Sequence, residues 1–536
     1  MSQCSVAQLL ASELHARGVR RMFGVPGGGS SLDVIEAAAT LGIDFVLART
    51  ESAAAMMAAA TAELTGTLGV ALTTKGPGTA NGVNGVAYAS LDRAPLLFLT
   101  DGFSAAEQAF VTHQVFDQRA LLAPVTKGSI DLTGSQPETD LCLLLDLAMT
   151  PPYGPVLIEL TSETARQVVN SRSASPAARQ PLAAVVSART AELLASARKP
   201  VVVLGLEARE PQAAAAAREL IETLGCPVVA TYKAKGVVAD GHPQYVGGFT
   251  SGAAEAECVG AADLIILIGL DPVELLRQPW RYRVPVIDVA LVRHAVHYLE
   301  PTVGIYGPLA ANLGALVRLA GRSDWQLGTI AEFRSKIRTA LQYRKSGAIG
   351  PQEVVELAVA ATESLSKRPR ITVDAGAHMF SAMAFWPCDE PGDVSISNGL
   401  ATMAFALPAA IGVSLADPSR AVIAFTGDGG LYMCLGELAT AVQYNARVVV
   451  IVFNDESLSL IDIKQQQRKL PTRGVRFAAT DFAAAMRAMG GRGYRATNVA
   501  EYAAALRDAF AAEGPALIDV AVDPTGYPEQ LKALRG

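Results

Sequence analysis

Residues 421–455 read AVIAFTGDGGLYMCLGELATAVQYNARVVVIVFND, and their order decides the fold. An apolar, β-rich run over 421–426 enters Gly427-Asp428-Gly429-Gly430, a helical stretch continues to about Asn445, and a second apolar run over 447–453 delivers Asn454-Asp455. Strand, helix and strand in that order make one βαβ unit. Ligands of such units bind beyond the carboxyl ends of the strands, and here both ends carry a carboxylate, Asp428 and Asp455. The glycines beside Asp428 permit close backbone approach, and the start of the following helix offers free N–H groups to a phosphate. Magnesium suits the pair because it takes hard oxygen ligands, needs only one or two carboxylates and completes its shell with phosphate and water. Taken singly, Gly-Asp-Gly and Asn-Asp are ordinary turns. Their separation by a whole strand-helix-strand unit is what reads as a metal and diphosphate anchor.

The same alternation runs through the whole chain. A helix over 6–17 and strands over 21–25, 45–50, 69–73, 95–100 and 155–160 predict a first parallel sheet. A second set lies at 200–206, 227–230, 264–269 and 284–289 and ends near Leu319, and a third at 371–373, 421–426, 447–453 and 516–522. The expected fold class is therefore α/β, with three consecutive α/β domains and parallel sheets at 1–165, 185–325 and 345–536. The Ser-, Ala- and Pro-rich first half of 166–198 reads as a linker, and the more polar, helical 321–350 as a second connector.

Composition agrees with several buried cores. The chain has 536 residues, 50% hydrophobic and 18% charged, which exceeds what one core supports and points to subunits that pack together. A net charge of −6 without any Lys/Arg run gives no footprint for nucleic acid or an anionic membrane. Apolar runs such as 263–270 are strand-length and the N-terminus lacks a basic segment before an apolar one, so a cytoplasmic protein is expected. Six scattered cysteines suggest buried free thiols rather than zinc or disulfides.

The Gly427-Asp428-Gly429-Gly430 and Asn454-Asp455 pair resembles the cofactor motif of thiamine diphosphate enzymes. The resemblance implies a metal held by Asp428, Asp455 and the carbonyl of Ser457, with Asp455 standing where the family has an amide and so adding a negative charge. Glu51 follows the 45–50 run; a glutamate there is favoured by the helix dipole alone. The family, however, places its activating glutamate in an Arg-His-Glu setting, here Arg49-Thr50-Glu51. That role implies a hydrogen bond from Glu51 to the pyrimidine ring of the cofactor. Phe23-Gly24-Val25-Pro26-Gly27-Gly28, Lys75-Gly76-Pro77-Gly78-Thr79-Ala80-Asn81, Pro124-Val125-Thr126-Lys127 and Asn398-Gly399-Leu400-Ala401-Thr402-Met403 extend the likeness to acetolactate synthase large subunits and their relatives. It implies pyrimidine-binding, central and diphosphate-binding domains. Met403 would support the bent cofactor, the carbonyl of Ala401 would accept from the aminopyrimidine, and His378 would approach the diphosphate. Elsewhere such a Met is core filler and such a His an ordinary loop residue. Because the family builds each site from two subunits, a homodimer or homotetramer is implied.

The resemblance also implies small-molecule 2-oxo acid substrates. His113 and Gln114 stand where acetolactate synthases carry Phe-Gln, and both are candidate catalytic residues. Pyruvate decarboxylases carry a glutamate where this chain has Ile461, and the synthases keep a Met and a Trp in the segment that here offers Leu460 and Lys464. The expected function is a carboligase or lyase that decarboxylates a 2-oxo acid and forms a carbon–carbon bond. A non-oxidative 2-oxo acid decarboxylase is the alternative, with a flavin-dependent oxidase or an inactive paralogue behind it. The central domain has the family's usual place for FAD or ADP, but residues 201–207 show no complete Gly-x-Gly-x-x-Gly, so FAD is left open and not predicted.

Overall fold

Runs such as Val448–Asn454 are buried at every position instead of every second one, as befits strands covered by helices on both faces. The computed structural model describes residues 2–171, 186–275, 279–343, 348–366 and 368–536. It contains three six-stranded sheets in which every ladder is parallel. The first runs Asp44–Leu47, Arg21–Val25, Gly69–Thr73, Leu96–Asp101, Pro155–Leu160, Ser129–Ile130 across its width. The third runs Val394–Ile396, Arg370–Val373, Val422–Gly427, Val448–Asn454, Ala516–Ala521, Arg492–Ala496. Numbered along the chain, both have the order 2-1-3-4-6-5. The central sheet, Tyr245–Gly248, Val228–Ala230, Pro200–Leu204, Leu264–Ile268, Val286–Ala290, Val303–Tyr306, has the order 3-2-1-4-5-6. Each sheet thus has a point where the winding reverses and the strand ends open a crevice.

The expected α/β class holds, with local corrections. The strand expected over 45–50 ends at Leu47, because the Thr50 side chain accepts from the Ala53 N–H and caps the helix Glu51–Thr65. Glu51 therefore opens that helix instead of ending the strand. The single helix expected from Gly430 to Asn445 is two, Asp428–Cys434 and Glu437–Gln443, separated at Gly436. Most of the linker expected in 166–198 falls on 172–185, outside the described residues, as do 344–347 of the second connector, whose preceding part is the helix Leu327–Leu341. Among the described residues, no helix is long and apolar enough to cross a membrane.

The three sheets meet at a buried polar junction. The Asp92 carboxylate, fully buried, accepts from the backbone N–H groups of Asn398, Gly399 and Leu400 at 2.7, 3.1 and 3.3 Å and from Ser397 Oγ at 3.2 Å. Lys233 of the central unit donates to Asp92 at 3.1 Å and to Glu63 at 2.9 Å, and Arg209 donates to Glu63 at 2.9 Å. Burial alone would raise the Glu63 carboxyl, but the adjacent Lys233 and Arg209 hold it below its ordinary range. Asp92→Ala would leave three backbone donors and Ser397 Oγ without their acceptor and take one of two carboxylates from the buried Lys233 ammonium. The expected loss is about 3–5 kcal/mol in urea unfolding, whereas Leu143→Ala on the surface should stay within about 0.5 kcal/mol.

Candidate cofactor-binding site

The crevice of the third sheet opens between Arg370–Val373 and Val422–Gly427, and residues just beyond these strands furnish its walls. Asp374, buried, accepts from the N–H groups of Phe405 and Ala406 at 2.6 and 2.8 Å and from Thr426 Oγ1 at 2.7 Å. A Cβ at Gly430 would lie 2.2 Å from the Asp374 Oδ2, so the last glycine of the Gly-Asp-Gly-Gly run is required by that carboxylate as well as by any ligand. Asp92 at one end and Asp374 at the other clamp the segment 397–406, which includes two non-glycine residues in the left-handed region, Ala401 (φ 54°) and Ala404 (φ 63°). The Met403 methyl reaches over Gly429, 3.3 Å from where a Cβ would stand there. Met403 is half-buried and Ala401 exposed.

Asp428 and Asp455 stand close enough for the charge of one to act on the other. Asp428, buried, accepts from the N–H groups of Gly429 at 2.6 Å and Ser457 at 3.2 Å, with Glu456 and Asp455 as further backbone donors. Burial pushes its carboxyl up to about 6; burial and the charge of Asp428 push Asp455 up to about 7, against a hydrogen bond of 2.5 Å from Ser459 Oγ. The segment 455–458 turns through Glu456 (φ 56°) and is pinned where Leu458 N–H donates to Val475 O and Phe477 N–H to Glu456 O, both at 2.8 Å. His378 begins the helix His378–Phe385 beside Gly427, with its ring 5.2 Å from that of Phe453. Its ring is bonded to the Phe425 carbonyl while Nε2 is buried without a partner, and burial lowers its pKa to about 4.

A second cluster lies at the first sheet. The Asn81 amide donates to the Glu51 carboxylate, and Gly78 is tight against Glu51, since a Cβ there would be 3.1 Å from its Oε1. Gln114 (φ 63°) backs onto the same loop: a Cβ at Gly76 would lie 2.6 Å from its carbonyl oxygen. His113 and Gln114 are both exposed on this segment. Two residues that sequence reasoning missed hold the cluster. Gln118 Oε1 accepts from Gly76 N–H at 2.8 Å and Thr79 Oγ1 at 2.6 Å, and buried Glu437 accepts from the N–H groups of Arg49 and Thr50 at 3.0 and 2.9 Å. The fold thus gathers Asp428, Asp455, Ser457, His378, Met403 and Gly427, Gly429 and Gly430 in one place, and Glu51 with Gln114 around the 76–81 loop in another.

Comparisons with known proteins identify the family to which the three units belong. Residues 4–121 match the thiamine pyrophosphate enzyme N-terminal TPP binding domain, 187–316 the central domain, and 374–520 the C-terminal TPP binding domain. The chain is 30% identical to an acetolactate synthase of Bacillus subtilis over 96% of its own length and 93% of the relative. It is also 30% identical to a catabolic acetolactate synthase of Raoultella terrigena, over 96% of this chain and 95% of that one. The large subunit of acetolactate synthase isozyme 3 of Escherichia coli matches at 30% over 86% of this chain and 84% of its own. The chain belongs to the thiamine pyrophosphate enzymes.

The donor set of this thiamine pyrophosphate enzyme fits the cofactor. Buried Asp428 and half-buried Asp455 repel each other and call for a cation, and the unpartnered His378 Nε2 and Ser457 Oγ are polar atoms that a bound diphosphate and metal would engage. The neutral form of His378 is favoured in the folded chain, so unfolding takes up a proton between about pH 6.5 and 4 and stability falls as pH drops through that window. In unfolding titrations at pH 7 and pH 4 without cofactor, His378→Gln should remove about 3 kcal/mol of that acid-induced loss. Gly430→Ala should weaken thiamine diphosphate binding tenfold or more in calorimetric titrations, because its methyl displaces Asp374 and with it the segment carrying Met403.

Proposed function

We propose that this enzyme uses thiamine diphosphate and magnesium to decarboxylate a 2-oxo acid and join the remaining acyl unit to a second carbonyl, in the manner that its acetolactate synthase relatives suggest. The observation that carries the reading is the convergence of Asp428, Asp455 and Ser457 with His378 and Met403 at the reversal point of the third sheet. Bound there, the cofactor supplies the electron sink that lets carbon dioxide leave and the new carbon–carbon bond form.

The chain's own residues divide the remaining work. Asp428, Asp455 and the Ser457 carbonyl hold the metal, which ties down the diphosphate. Met403 and the Ala401 carbonyl orient the rings, and Glu51, kept in place by Asn81, bonds the pyrimidine nitrogen. Gln114 and His113 belong to the substrate side, near the loop that carries Gly78 against Glu51. Glu51 and the metal cluster are completed across a subunit boundary in a homodimer or homotetramer, consistent with large apolar side chains exposed in both halves, among them Phe110 (77%) and Met433 (59%).

The test is incubation of purified protein with thiamine diphosphate, Mg2+ and a panel of 2-oxo acids, with carbon dioxide and condensed products followed by mass spectrometry. An acyloin or acetolactate is expected; an aldehyde as sole product would favour simple decarboxylation, and no turnover with any acid would reject the reading. Glu51→Gln should abolish turnover with the fold intact, while Asp428→Ala should lose the cofactor. Asp455→Asn, which removes a charge beside the diphosphate, should tighten thiamine diphosphate binding by about tenfold, read as a fall in its dissociation constant.

A further inference from the structure

We propose that the carboxyl end of the central sheet holds a divalent cation on Glu207, Asp271 and His294, with the buried Asp288 carboxylate adding negative charge beside them. The 3-2-1-4-5-6 order places the crevice between Pro200–Leu204 and Leu264–Ile268. Glu207 lies just beyond the first of these strands and Asp271 beyond the second; Asp288 is in the neighbouring Val286–Ala290, and His294 is on the loop that follows it. One donor atom from each of Glu207, Asp271 and His294 lies within 4.8 Å of the other two. His294 Nε2 stands 3.3 Å from Glu207 Oε1, and its Nδ1 3.9 Å from Asp271 Oδ2. Two ligands each about 2.0–2.2 Å from a tetrahedral ion are themselves roughly 3.3–3.5 Å apart. The 3.3 Å gap between Nε2 and Glu207 Oε1 matches that spacing, while the 3.9 Å one involves the other ring nitrogen, which cannot bind the same ion.

The donors are aimed and have little freedom to turn. Glu207 Oε2 accepts from the Leu291 N–H at 2.7 Å, leaving Oε1 for the site. Asp271 is held by the Val273 N–H at 3.0 Å and by Arg93 at 2.6 and 3.3 Å. Such outer contacts are what orient carboxylate ligands. Independently of these three, Asp288 is 1% exposed and its Oδ1 has no partner, while its charge is felt by both His294 and Glu207. Burial holds its carboxyl up at about 6, where Tyr306 donates to it. The His294 side chain is only 6% exposed, and its Nε2 pairs with Glu207 without closing a well-aligned hydrogen bond. Three carboxylates facing one imidazole and one guanidinium leave negative charge that a cation would neutralise.

The same crevice is ill suited to the diphosphate of a dinucleotide. In doubly wound sheets that group sits at the N-terminus of the helix after the first strand. Here that helix, Pro211–Leu224, is capped by the Glu210 carboxylate, which accepts from the N–H groups of Gln212 and Ala213 at 3.1 and 2.8 Å. Glu207 adds a second negative charge one turn earlier. An anion meets two carboxylates at this place and a cation meets ligands. Mixed imidazole and carboxylate donors select a first-row divalent ion such as Zn2+ or Mn2+ over Mg2+ or Ca2+. A cleft of about 880 Å3, lined by Arg93, Arg209, Glu207 and Asp271 among others, gives access from solvent.

The test uses the full chain, stripped with EDTA and kept free of thiamine diphosphate, dialysed against Zn2+ and analysed for bound metal. A Zn2+ ion bound by the chain is expected, weakened tenfold or more by His294→Gln and by Asp288→Asn and unchanged by the surface change Leu143→Ala. Should His294→Gln fail to fold by circular dichroism, the isosteric Asp288→Asn carries the comparison. Absence of Zn2+, or Zn2+ retained at full strength in both variants, would overturn the proposal and leave His294 as a protonated counter-ion between Glu207 and Asp271.

Discussion

The Asp92 carboxylate is the contact on which the other parts of the molecule depend. It accepts three successive backbone N–H groups of 398–400 and the ammonium of Lys233, and so joins the first sheet's unit to the central one and to the segment that carries Ala401 and Met403. An ionised group with no exposure is tolerated only when its lone pairs are taken up, and here five donors do so. Asp374 performs the same task at the other end of the segment. Two alanines in the left-handed region between these anchors show why both are needed: that backbone would relax if either end were free. The shape of the cofactor seat is thus a product of interdomain packing, and damage at Lys233 or Glu63 would be felt at Met403.

The first and third units solve their geometry in the same way. Their sheets have the same strand order, and in both the crevice is entered through glycines that nearby polar atoms crowd, Asp101 and Thr74 against Gly27 in one and Asp374 against Gly430 in the other. A glycine in these places serves two ends at once: it lets a ligand come close and lets a buried carboxylate organise the loop behind it. That is why Gly-rich runs follow a strand in both units.

How much of this was legible in the sequence follows from chain distance and burial. Inner strands such as Leu264–Ile268 are apolar at every position and stand out as short runs. Within the six-stranded sheets, the strands that reading missed, Ser129–Ile130, Tyr245–Gly248, Val303–Tyr306, Val394–Ile396 and Arg492–Ala496, are all edges. An edge strand is short or half-exposed, as in the Arg-Gly-Tyr-Arg-Ala of 492–496, and carries no continuous apolar signal. Asp428 and Asp455 were legible because a single βαβ unit fixes their relation. Glu51 needed the family resemblance, since a glutamate opening a helix has a sufficient local reason to be there. Asp92, Glu437 and Gln118 gave no signal, because a partner such as Asn398 lies 306 residues from Asp92 and becomes its neighbour only when the domains pack.

The two crevices that differ in strand order also differ in the charge they accept, and the difference comes down to what stands at the strand ends. In the third unit, Gly429 and Gly430 follow Asp428, so the backbone there stays open and the two carboxylates lie to one side, where a metal can sit between them and a phosphate. In the central unit, Glu210 occupies the helix start with its own carboxylate, and Glu207 and Asp271 face each other across His294. A parallel sheet supplies a crevice and leaves its chemistry open. One acidic side chain placed at a helix N-terminus is enough to turn a seat for anions into one that repels them, and once that has happened the surrounding carboxylates cease to be second ligands of a phosphate-bound metal and become the ligands of a metal held by protein alone.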